Sequence, residues 1–494
     1  MRVISAPRVV ADDVPLGPAC VAVEDGRIVG VAAGETYGGI RPDVVLPAGV
    51  LAPGLIDVQV NGCFGVDLVA ADPDGWAEVA RRLPETGVTA FLPTFITAPV
   101  PELVEAVRRT AALPALAGAR VLGVHVEGPF LSRRRHGAHN PALLRDPTPE
   151  AVDALLAAAP GLLRIHTLAP ELPGALDAIR RLTAAGVLVS IGHSDATAAQ
   201  AEAAADAGAR LVTHLFNAMR PLHHREPGLV GQALADPRLA CGLIADLHHV
   251  AAPVCRLAFA AAAGRVVLVT DAVAAAGMPP GTYDLGGQRV SVDPLGLPRR
   301  ADGTLAGSGL RLDAAVANAV AAGVDLRSAV DAATRLPADL VARPDLGRIA
   351  PGAVADLVWL GDDLSARATW VGGELVAGTV PTAPAAGVAA GSPPGSATAG
   401  DVLDGVAPGP GGAAAVQLAP LSSAAPGVAG DPATSVAPVA PAAPAAAAGS
   451  AAGAVAVGGD PAAAAPVPAR GGVGSAPDGT ADGGTHRDPR PVRP

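Results

Sequence analysis

The sequence contains no lysine, and all 35 of its basic residues are arginines. This absence excludes a Schiff-base lysine, a lysine-containing phosphate loop and a carbamylated lysine that bridges two metal ions. No stretch of about 18 strongly apolar residues free of Gly and Pro occurs, so no membrane span is predicted. The net charge of −11 offers no general attraction for nucleic acid or an anionic membrane. An anionic ligand would therefore need a local cationic pocket.

Cysteine is also scarce. The four cysteines, Cys20, Cys63, Cys241 and Cys255, form no CxxC pair and no zinc-finger spacing. The first residues, MRVISAPRVVADD, include no apolar run of signal-peptide length. We therefore predict a cytoplasmic protein with reduced thiols.

Glycine and proline, in contrast, are abundant, with 60 Gly and 49 Pro in 494 residues. From residue 379 onward the chain consists mainly of Ala, Pro, Gly, Val and Ser, as in PVAPAAPAAAAGS, and contains no Phe, Trp or Tyr. Without large apolar side chains a segment cannot offset the entropy that it loses on ordering. We predict that 379–494 is a disordered tail.

The body of the chain, residues 1–378, alternates short β-branched runs with Ala-rich amphipathic stretches, a pattern typical of βα units around a parallel sheet. The apolar runs are 54–60, 88–96, 120–128, 163–171, 187–193, 210–214, 239–246 and 266–272, and the helical stretches are 75–86, 100–112, 149–158, 174–185, 196–207 and 253–262. Eight runs predict an α/β protein with a (β/α)8 TIM-type barrel over 51–345.

The segments that flank the predicted barrel have the character of short strands joined by turns. Residues 1–50 include Asp25-Gly26 between two apolar segments, which is a hairpin signal, and 346–378 have the same character. We expect the two flanks to form one small β-sandwich domain built from both ends of the body. A further β-rich stretch, 281–293, follows the eighth run.

Polar residues stand at the carboxyl ends of the predicted strands, where barrels build their catalytic mouth. Glu127, His193 and His214 make a two-His, one-carboxylate set, the ligand count of a catalytic zinc ion that keeps one position open for water. A metal ion there would lower the pKa of that water. Asp271, after the eighth run, is placed to accept the proton of the water and return it to a leaving group. An Asp at this point would equally suit a helix N-cap.

Gln59 and Asn61, after the first run, occupy the spacing at which many metal-dependent hydrolases have His-x-His. Neutral amides are poor metal ligands, so these residues and the missing lysine predict one metal ion rather than two. We expect Zn2+, with Fe2+ or another divalent ion as the alternative, because His and carboxylate ligands accept several metals.

Nine segments of the chain carry a more specific signal. They are PGLIDVQVNG (53–62), HVEGPFL (125–131), HGAHNP (136–141), LAPE (168–171), GHSDAT (192–197), THLFNAM (213–219), REPGLVG (225–231), LVTDAVAAAG (268–277) and GTLAGS (303–308). In this order, over roughly residues 1–375, they resemble the N-acetylglucosamine-6-phosphate deacetylase family of the amidohydrolase superfamily. The tail has no part in the resemblance.

The resemblance implies hydrolysis of the acetamido group of N-acetyl-D-glucosamine 6-phosphate, with Glu127, His193 and His214 holding the metal. It implies that Asp271 is the general base and acid and that His139 helps to polarise the acetyl carbonyl. The implied substrate-binding residues are Ala138, His139, Asn217, Ala218, Arg225, His249, Leu305, Ala306 and Gly307.

Arg225 and His249 are the implied phosphate contacts. In this family the arginine often reaches across a dimer interface, so a homodimer or homotetramer is expected. The sequence departs from the family pattern at His224, where glycine is usual, and in ADLHHV, which replaces ADGLHV. These departures leave His223, His224 and His248 as competing candidates for the phosphate.

Two alternatives remain open from the sequence. The first is the same chemistry on N-acetylgalactosamine 6-phosphate or another N-acyl substrate, since residues at strand ends do not decide the orientation of one sugar hydroxyl. The second is a non-catalytic barrel that serves as a scaffold, with the tail as its interaction arm. A scaffold would be expected to have lost the metal ligands, which this chain retains.

Overall fold

The computed structural model describes residues 1–285, 287–294 and 296–381, so the predicted tail lies outside the described residues except for 379–381. The strands are β1 (Arg2–Val9), β2 (Gly17–Glu24), β3 (Arg27–Ala33), β4 (Val44–Val45), β5 (Val50–Pro53), β6 (Leu55–Val60), β7 (Gly62–Cys63), β8 (Val66–Asp67), β9 (Val88–Phe95), β10 (Arg120–Val121), β11 (Val124–Glu127), β12 (Leu163–Leu168), β13 (Leu188–Ile191), β14 (Leu211–Val212), β15 (Ala240–Leu243), β16 (Val266–Leu268), β17 (Gly281–Leu285), β18 (Gln288–Val292), β19 (Pro298–Arg299), β20 (Leu357–Leu360), β21 (Ala366–Val371) and β22 (Glu374–Gly378). The α-helices are α1 (Pro73–Arg82), α2 (Val100–Ala111), α3 (Pro149–Ala158), α4 (Ala175–Ala184), α5 (Ala198–Ala207), α6 (Gly228–Ala235), α7 (Ala252–Ala261), α8 (Leu312–Ala321), α9 (Leu326–Asp331) and α10 (Arg335–Leu340), and two short 3-10 helices span Leu83–Thr86 and Arg133–Arg135.

The central sheet is a nearly closed parallel barrel, which confirms the predicted fold class. Its principal strands follow one another in the order β6, β9, β11, β12, β13, β14, β15, β16, with the short β10 beside β9. Each of these eight strands overlaps one of the predicted apolar runs. Helices α6, α8, α9 and α10 were not among the predicted helical stretches. In α6 the glycines of the sequence GLVGQALA have low helix propensity.

Apolar side chains fill both sides of the barrel wall. Those that point inward include Ile56, Leu92, Ile165, Ile244 and Val267. The outward-pointing ones pack against the surrounding helices in a larger core. None of the described helices combines the length and the hydropathy that crossing a bilayer requires. The four cysteines are buried and unpaired.

Strands from both ends of the described chain meet in one continuous sheet of eight strands. The order is β22, β21, β20, β5, β1, β2, β3, and β4 pairs with β1. The antiparallel pairing of β20 with β5 joins the late strands to the early ones. Trp370 and Leu357 are buried in the apolar core of this sheet. The buried carboxylate of Asp356 pairs with Arg120 of β10 and so ties the sheet to the barrel wall.

The barrel closes at a seam, which we define as the contact between β6 and the segment after β16. The backbone hydrogen bonds that cross it include Asp271 N to Gln59 O at 3.0 Å and Asn61 N to Ala272 O at 2.8 Å. The carboxyl group of Asp57 adds a side-chain link, since Oδ1 accepts from Thr270 N at 3.3 Å and Oδ2 lies 2.6 Å from Thr270 Oγ1. Burial raises the pKa of Asp57 to about 7. At acidic pH the Asp57 carboxyl group of the folded protein is therefore mainly protonated.

We predict that Asp57→Asn removes a pH-dependent contribution to stability. Between the unfolded-state pKa of about 4 and the folded-state value, the native protein holds more protons than the unfolded chain, so wild-type stability falls as the pH rises. Relative to the variant, the loss from pH 4 to 7 should reach up to about 3–4 kcal/mol. Denaturant unfolding of both proteins across this range measures the difference, and parallel profiles would contradict the assignment.

Candidate active site

Several polar residues after the barrel strands adopt backbone angles that are rare outside glycine. His193 has φ +47°, His214 has φ +31° and Asp271 has φ +51°, each a few residues beyond the end of its strand. Such left-handed conformations cost on the order of 1–3 kcal/mol and concentrate at functional sites. The strand ends therefore turn so that these three side chains converge at one mouth of the barrel.

The Glu127 carboxylate lies at the centre of a buried cluster. Its Oε1 atom is 3.0 Å from His193 Nε2, 3.1 Å from His214 Nε2 and 3.9 Å from His139 Nε2. The two ring nitrogens of His193 and His214 are themselves 3.0 Å apart. Although burial alone would raise the pKa of Glu127, the hydrogen bonds and charges of these two histidines hold it well below its usual range. Glu127 is therefore a buried anion.

Hydrogen bonds on the outer ring nitrogens distinguish the roles of the histidines. Nδ1 of His193 is 3.0 Å from the carbonyl oxygen of Arg135, which can only accept, so Nδ1 carries a proton and Nε2 is the nitrogen that would ligate a metal ion in place of a proton. Nδ1 of His139 accepts from the backbone N–H of Thr97 at 3.3 Å, so its proton lies on Nε2. Burial and the neighbouring His193 lower the pKa of His139 well below its usual value. His139 is therefore a neutral hydrogen-bond donor toward the cluster.

The donor set suits a divalent metal ion. Tetrahedral ligands at about 2.0–2.2 Å from zinc lie roughly 3.3–3.5 Å from one another, close to the 3.0–3.1 Å that separates the ligand atoms of Glu127, His193 and His214. A divalent ion bound among these atoms would take the place of the protons that the carboxylate and the two imidazole nitrogens share. Donor atoms of Glu127, His139 and His193 also lie within 4.8 Å of one another, but a protonated Nε2 on His139 cannot ligate a metal.

Two amide side chains tie the carboxylates of the site together. Gln59 Nε2 donates to Glu127 Oε2 and to Asp271 Oδ1, both at 3.2 Å. Asn61 Nδ2 donates to the same Asp271 oxygen at 2.8 Å. Burial and the charge of Glu127 raise the pKa of Asp271 to about 6. Gln59 and Asn61 thus stand in the site as hydrogen-bond donors.

The cluster opens into a cavity of about 290 Å³. Most of the expected substrate-binding residues line it, namely Ala138, His139, Asn217, Ala218, His249, Leu305 and Gly307. The expected metal ligands Glu127, His193 and His214 also line it, together with Asp271 and Asn61. Gly307 has φ +60°, and a Cβ there would lie 2.3 Å from Val273 Cγ1, so glycine is required where the chain passes Asp271. Ala306 is buried in a separate apolar cluster and does not line the cavity.

The two residues expected at a phosphate lie in different surroundings. His249 lines the cavity, and its Nδ1 is 2.7 Å from Asp246 Oδ2, which leaves Nε2 as the nitrogen for a ligand. Arg225 is exposed and does not line the cavity of its own chain. His223 and His224 are exposed beside it, and His248 also lies outside the lining.

The structure adds residues that sequence reasoning missed. Thr97, whose hydroxyl oxygen is 2.8 Å from His139 Nδ1, orients that histidine. It directly follows the second apolar run, 88–96, so the rule that selected the other strand-end residues could have found it. Arg299, which lines the cavity, lies on β19, beyond the predicted β-rich stretch 281–293, and no motif marked it.

Comparison with known proteins gives concordant results. The Amidohydrolase family model matches residues 50–376. An N-acetylglucosamine-6-phosphate deacetylase from Bos taurus is 45% identical over 346 residues, which cover 66% of this chain and 83% of the relative. An N-acetylgalactosamine-6-phosphate deacetylase from Escherichia coli O157:H7 is 42% identical over 332 residues, covering 66% of this chain and 88% of the relative.

The fold comparison agrees. A mutant N-acetyl-D-glucosamine-6-phosphate deacetylase from Mycobacterium smegmatis, solved in complex with N-acetyl-D-glucosamine-6-phosphate, superposes with a TM-score of 0.72 and 37% sequence identity. The match covers 76% of this chain and 99% of that chain.

We predict that His214→Asn loses metal whereas His139→Asn retains it. His214 Nε2 lies among the ligand atoms, 3.1 Å from Glu127 Oε1, whereas Nε2 of His139 carries a proton and cannot ligate. Metal content after dialysis, measured by mass spectrometry, should fall below one ion per chain in the first variant and stay at the wild-type level in the second. Loss of metal from His139→Asn alone would instead assign the ligands to Glu127, His139 and His193.

Proposed function

The chain belongs to the amidohydrolase family, and we propose that it hydrolyses the acetamido group of N-acetyl-D-glucosamine 6-phosphate to give acetate and D-glucosamine 6-phosphate. It is a metal-dependent amide hydrolase. The observation that carries the proposal is the buried set of Glu127, His193 and His214, with Asp271 facing the same cavity. A scaffold protein would have no use for such a costly group of buried polar residues.

Glu127, His193 and His214 would hold one divalent ion, and we propose Zn2+ because a two-His, one-carboxylate set is typical of catalytic zinc. When bound, the ion supplies Lewis acidity and lowers the pKa of water. Gln59 and Asn61 occupy the positions where a second ion would need ligands, and both amides already donate to the carboxylates of the site. The arrangement supports one ion per subunit.

The residues of the chain divide the proton transfers between them. Both amides donate to Asp271 Oδ1, so Oδ2 is the oxygen available to take a proton from the attacking water. His139 Nε2–H donates to the acetamido carbonyl oxygen and stabilises the negative charge that develops there. Asp271 then returns its proton to the amide nitrogen as the C–N bond breaks, which releases the amine and acetate.

The sugar and its phosphate would lie along the rest of the cavity. Asn217, Ala218, Leu305 and Gly307 line it, and we propose that they contact the sugar. His249 Nε2 would contact the phosphate. Since Arg225 lies outside the cavity of its own chain, we propose that it reaches the phosphate of a partner subunit in a homodimer or homotetramer. Leu222, an apolar side chain that is 51% exposed near Arg225, would be covered there.

We also propose that the enzyme acts in the cytoplasm in the breakdown of amino sugars. Its substrate is a charged sugar phosphate, and its four cysteines are unpaired thiols. Unpaired thiols suit a reducing compartment, and a charged sugar phosphate does not leave a cell by diffusing through its membrane.

We predict that Asp271→Asn lowers turnover by about 10²–10⁴-fold, because an amide cannot accept the proton of the attacking water. The Asn side chain still accepts hydrogen bonds from Gln59 and Asn61, so the metal ligands should keep their positions. Acetate release from N-acetyl-D-glucosamine 6-phosphate, measured together with metal content, provides the test. Near-normal turnover with full metal content would rule out the role of Asp271.

We predict a preference for the glucosamine over the galactosamine substrate. The relative acting on the galactosamine epimer is 42% identical to this chain, so the epimer is the second candidate substrate. Side-by-side kcat/KM values for the two N-acetylated 6-phosphates compare them directly. A higher value for the galactosamine compound would reassign the substrate without changing the reaction.

A further inference from the structure

The described lining of the active-site cavity contains a single arginine, Arg299. This residue belongs to the three-stranded insertion, which we define as β17, β18 and β19, placed between the eighth barrel strand and α8. The chain has no lysine. Arg299 is therefore the one permanently cationic side chain that the described part of a subunit brings to its own cavity.

Backbone pairing on both sides holds Arg299 at the cavity. It pairs with Ser291 of β18 on one side and forms an antiparallel bridge with Leu305 on the other. The turn between these two partners is closed by hydrogen bonds between Arg300 and Thr304 and between Gly303 and Arg300, both 2.9 Å. Opposed residues in an antiparallel pair point to the same face, and Leu305 also lines the cavity.

The guanidinium group of Arg299 is held by two neighbouring groups and stays partly exposed to solvent. Nη1 donates to Gly303 O at 3.1 Å, and Nε is 3.5 Å from Asp293 Oδ2. Within the described residues no hydrogen bond from Nη2 is found, and the side chain is 42% exposed. An anchored and partly exposed arginine can present a planar pair of N–H donors to an anion at low entropic cost.

From these observations we propose that Arg299 binds the phosphate group of the substrate within the same subunit. The inference rests on the proposed function for the identity of the phosphate. Arg299 would complement His249, whose Nδ1 is engaged by Asp246 so that Nε2 alone is left for a ligand, and Arg225, which lies outside the cavity of its own chain. Arginine is suited to the task because two parallel N–H donors match two phosphate oxygens. The insertion thus supplies specificity for a phosphorylated sugar, and the barrel supplies the hydrolytic chemistry.

The test compares Arg299→Ala and Arg299→Lys with Arg289→Ala, a matched control that removes the same charge from an exposed position of the same insertion, outside the cavity lining. For the 6-phosphate substrate, Arg299→Ala should raise KM by about tenfold to a hundredfold while kcat changes by less than about threefold, since a charge-assisted pair of hydrogen bonds is lost. Arg299→Lys should recover part of the loss. The kcat/KM for N-acetylglucosamine without phosphate should be the same in all four proteins.

Inorganic phosphate provides a second readout that does not depend on turnover. Its binding, measured by calorimetry on the metal-loaded enzyme, should weaken by a similar factor in Arg299→Ala and remain unchanged in Arg289→Ala. Phosphate affinity and KM that match the control would overturn the proposal, and a large rise in KM for Arg225→Ala alone would assign the phosphate to the partner subunit. If the wild type binds phosphate through Arg299 but releases no acetate from either sugar phosphate, the proposed function fails and this binding site stands.

Discussion

The buried carboxylate of Glu127 is the constraint on which the rest of the site depends. An ion removed from water in the mouth of a barrel is stable only if nearby groups compensate its charge and satisfy its oxygens. Here the compensation comes from ring nitrogens of His193 and His214 on one oxygen and from the Gln59 amide on the other. These partners come from different strands, so the buried negative charge of Glu127 is stabilised only when the barrel closes.

The same set of contacts gives two neighbouring carboxyl groups different chemistry. Glu127, paired with two histidines, has its pKa held low and remains an anionic ligand. Asp271, paired with neutral amides and facing the Glu127 charge, has its pKa raised to about 6, near the range where a group can both take and return a proton. Environments that push the pKa values of two acids apart commonly separate their catalytic roles. Gln59, which donates to both, is the side chain that links the two environments.

Much of the fold was predictable because it is encoded locally. Each βα unit needs only a short apolar run and an amphipathic stretch, and eight such units leave few arrangements other than a barrel. Helix α6 was not predicted because its glycines lower the helix propensity of the segment, whereas packing against the barrel still favours the helix. Strand ends also marked Glu127, His193, His214 and Asp271, since all strands of a parallel barrel finish at the same mouth.

By itself the sequence determined the barrel and the residue types at its mouth. It also excluded lysine as a ligand of the phosphate group, because the chain has none. The tertiary structure decided which of those residues meet. Glu127 and His214 are 87 positions apart in the chain, and Gln59 and Asp271 are 212 apart. Their contacts therefore depend on closure of the sheet and on left-handed turns, which no local sequence pattern predicts. It also decided that His139 points a proton at the cluster, because the Thr97 N–H selects the tautomer. The position of Arg299 at the cavity also depends on the tertiary structure, because it is set by the pairing of β19 with β18 and with Leu305.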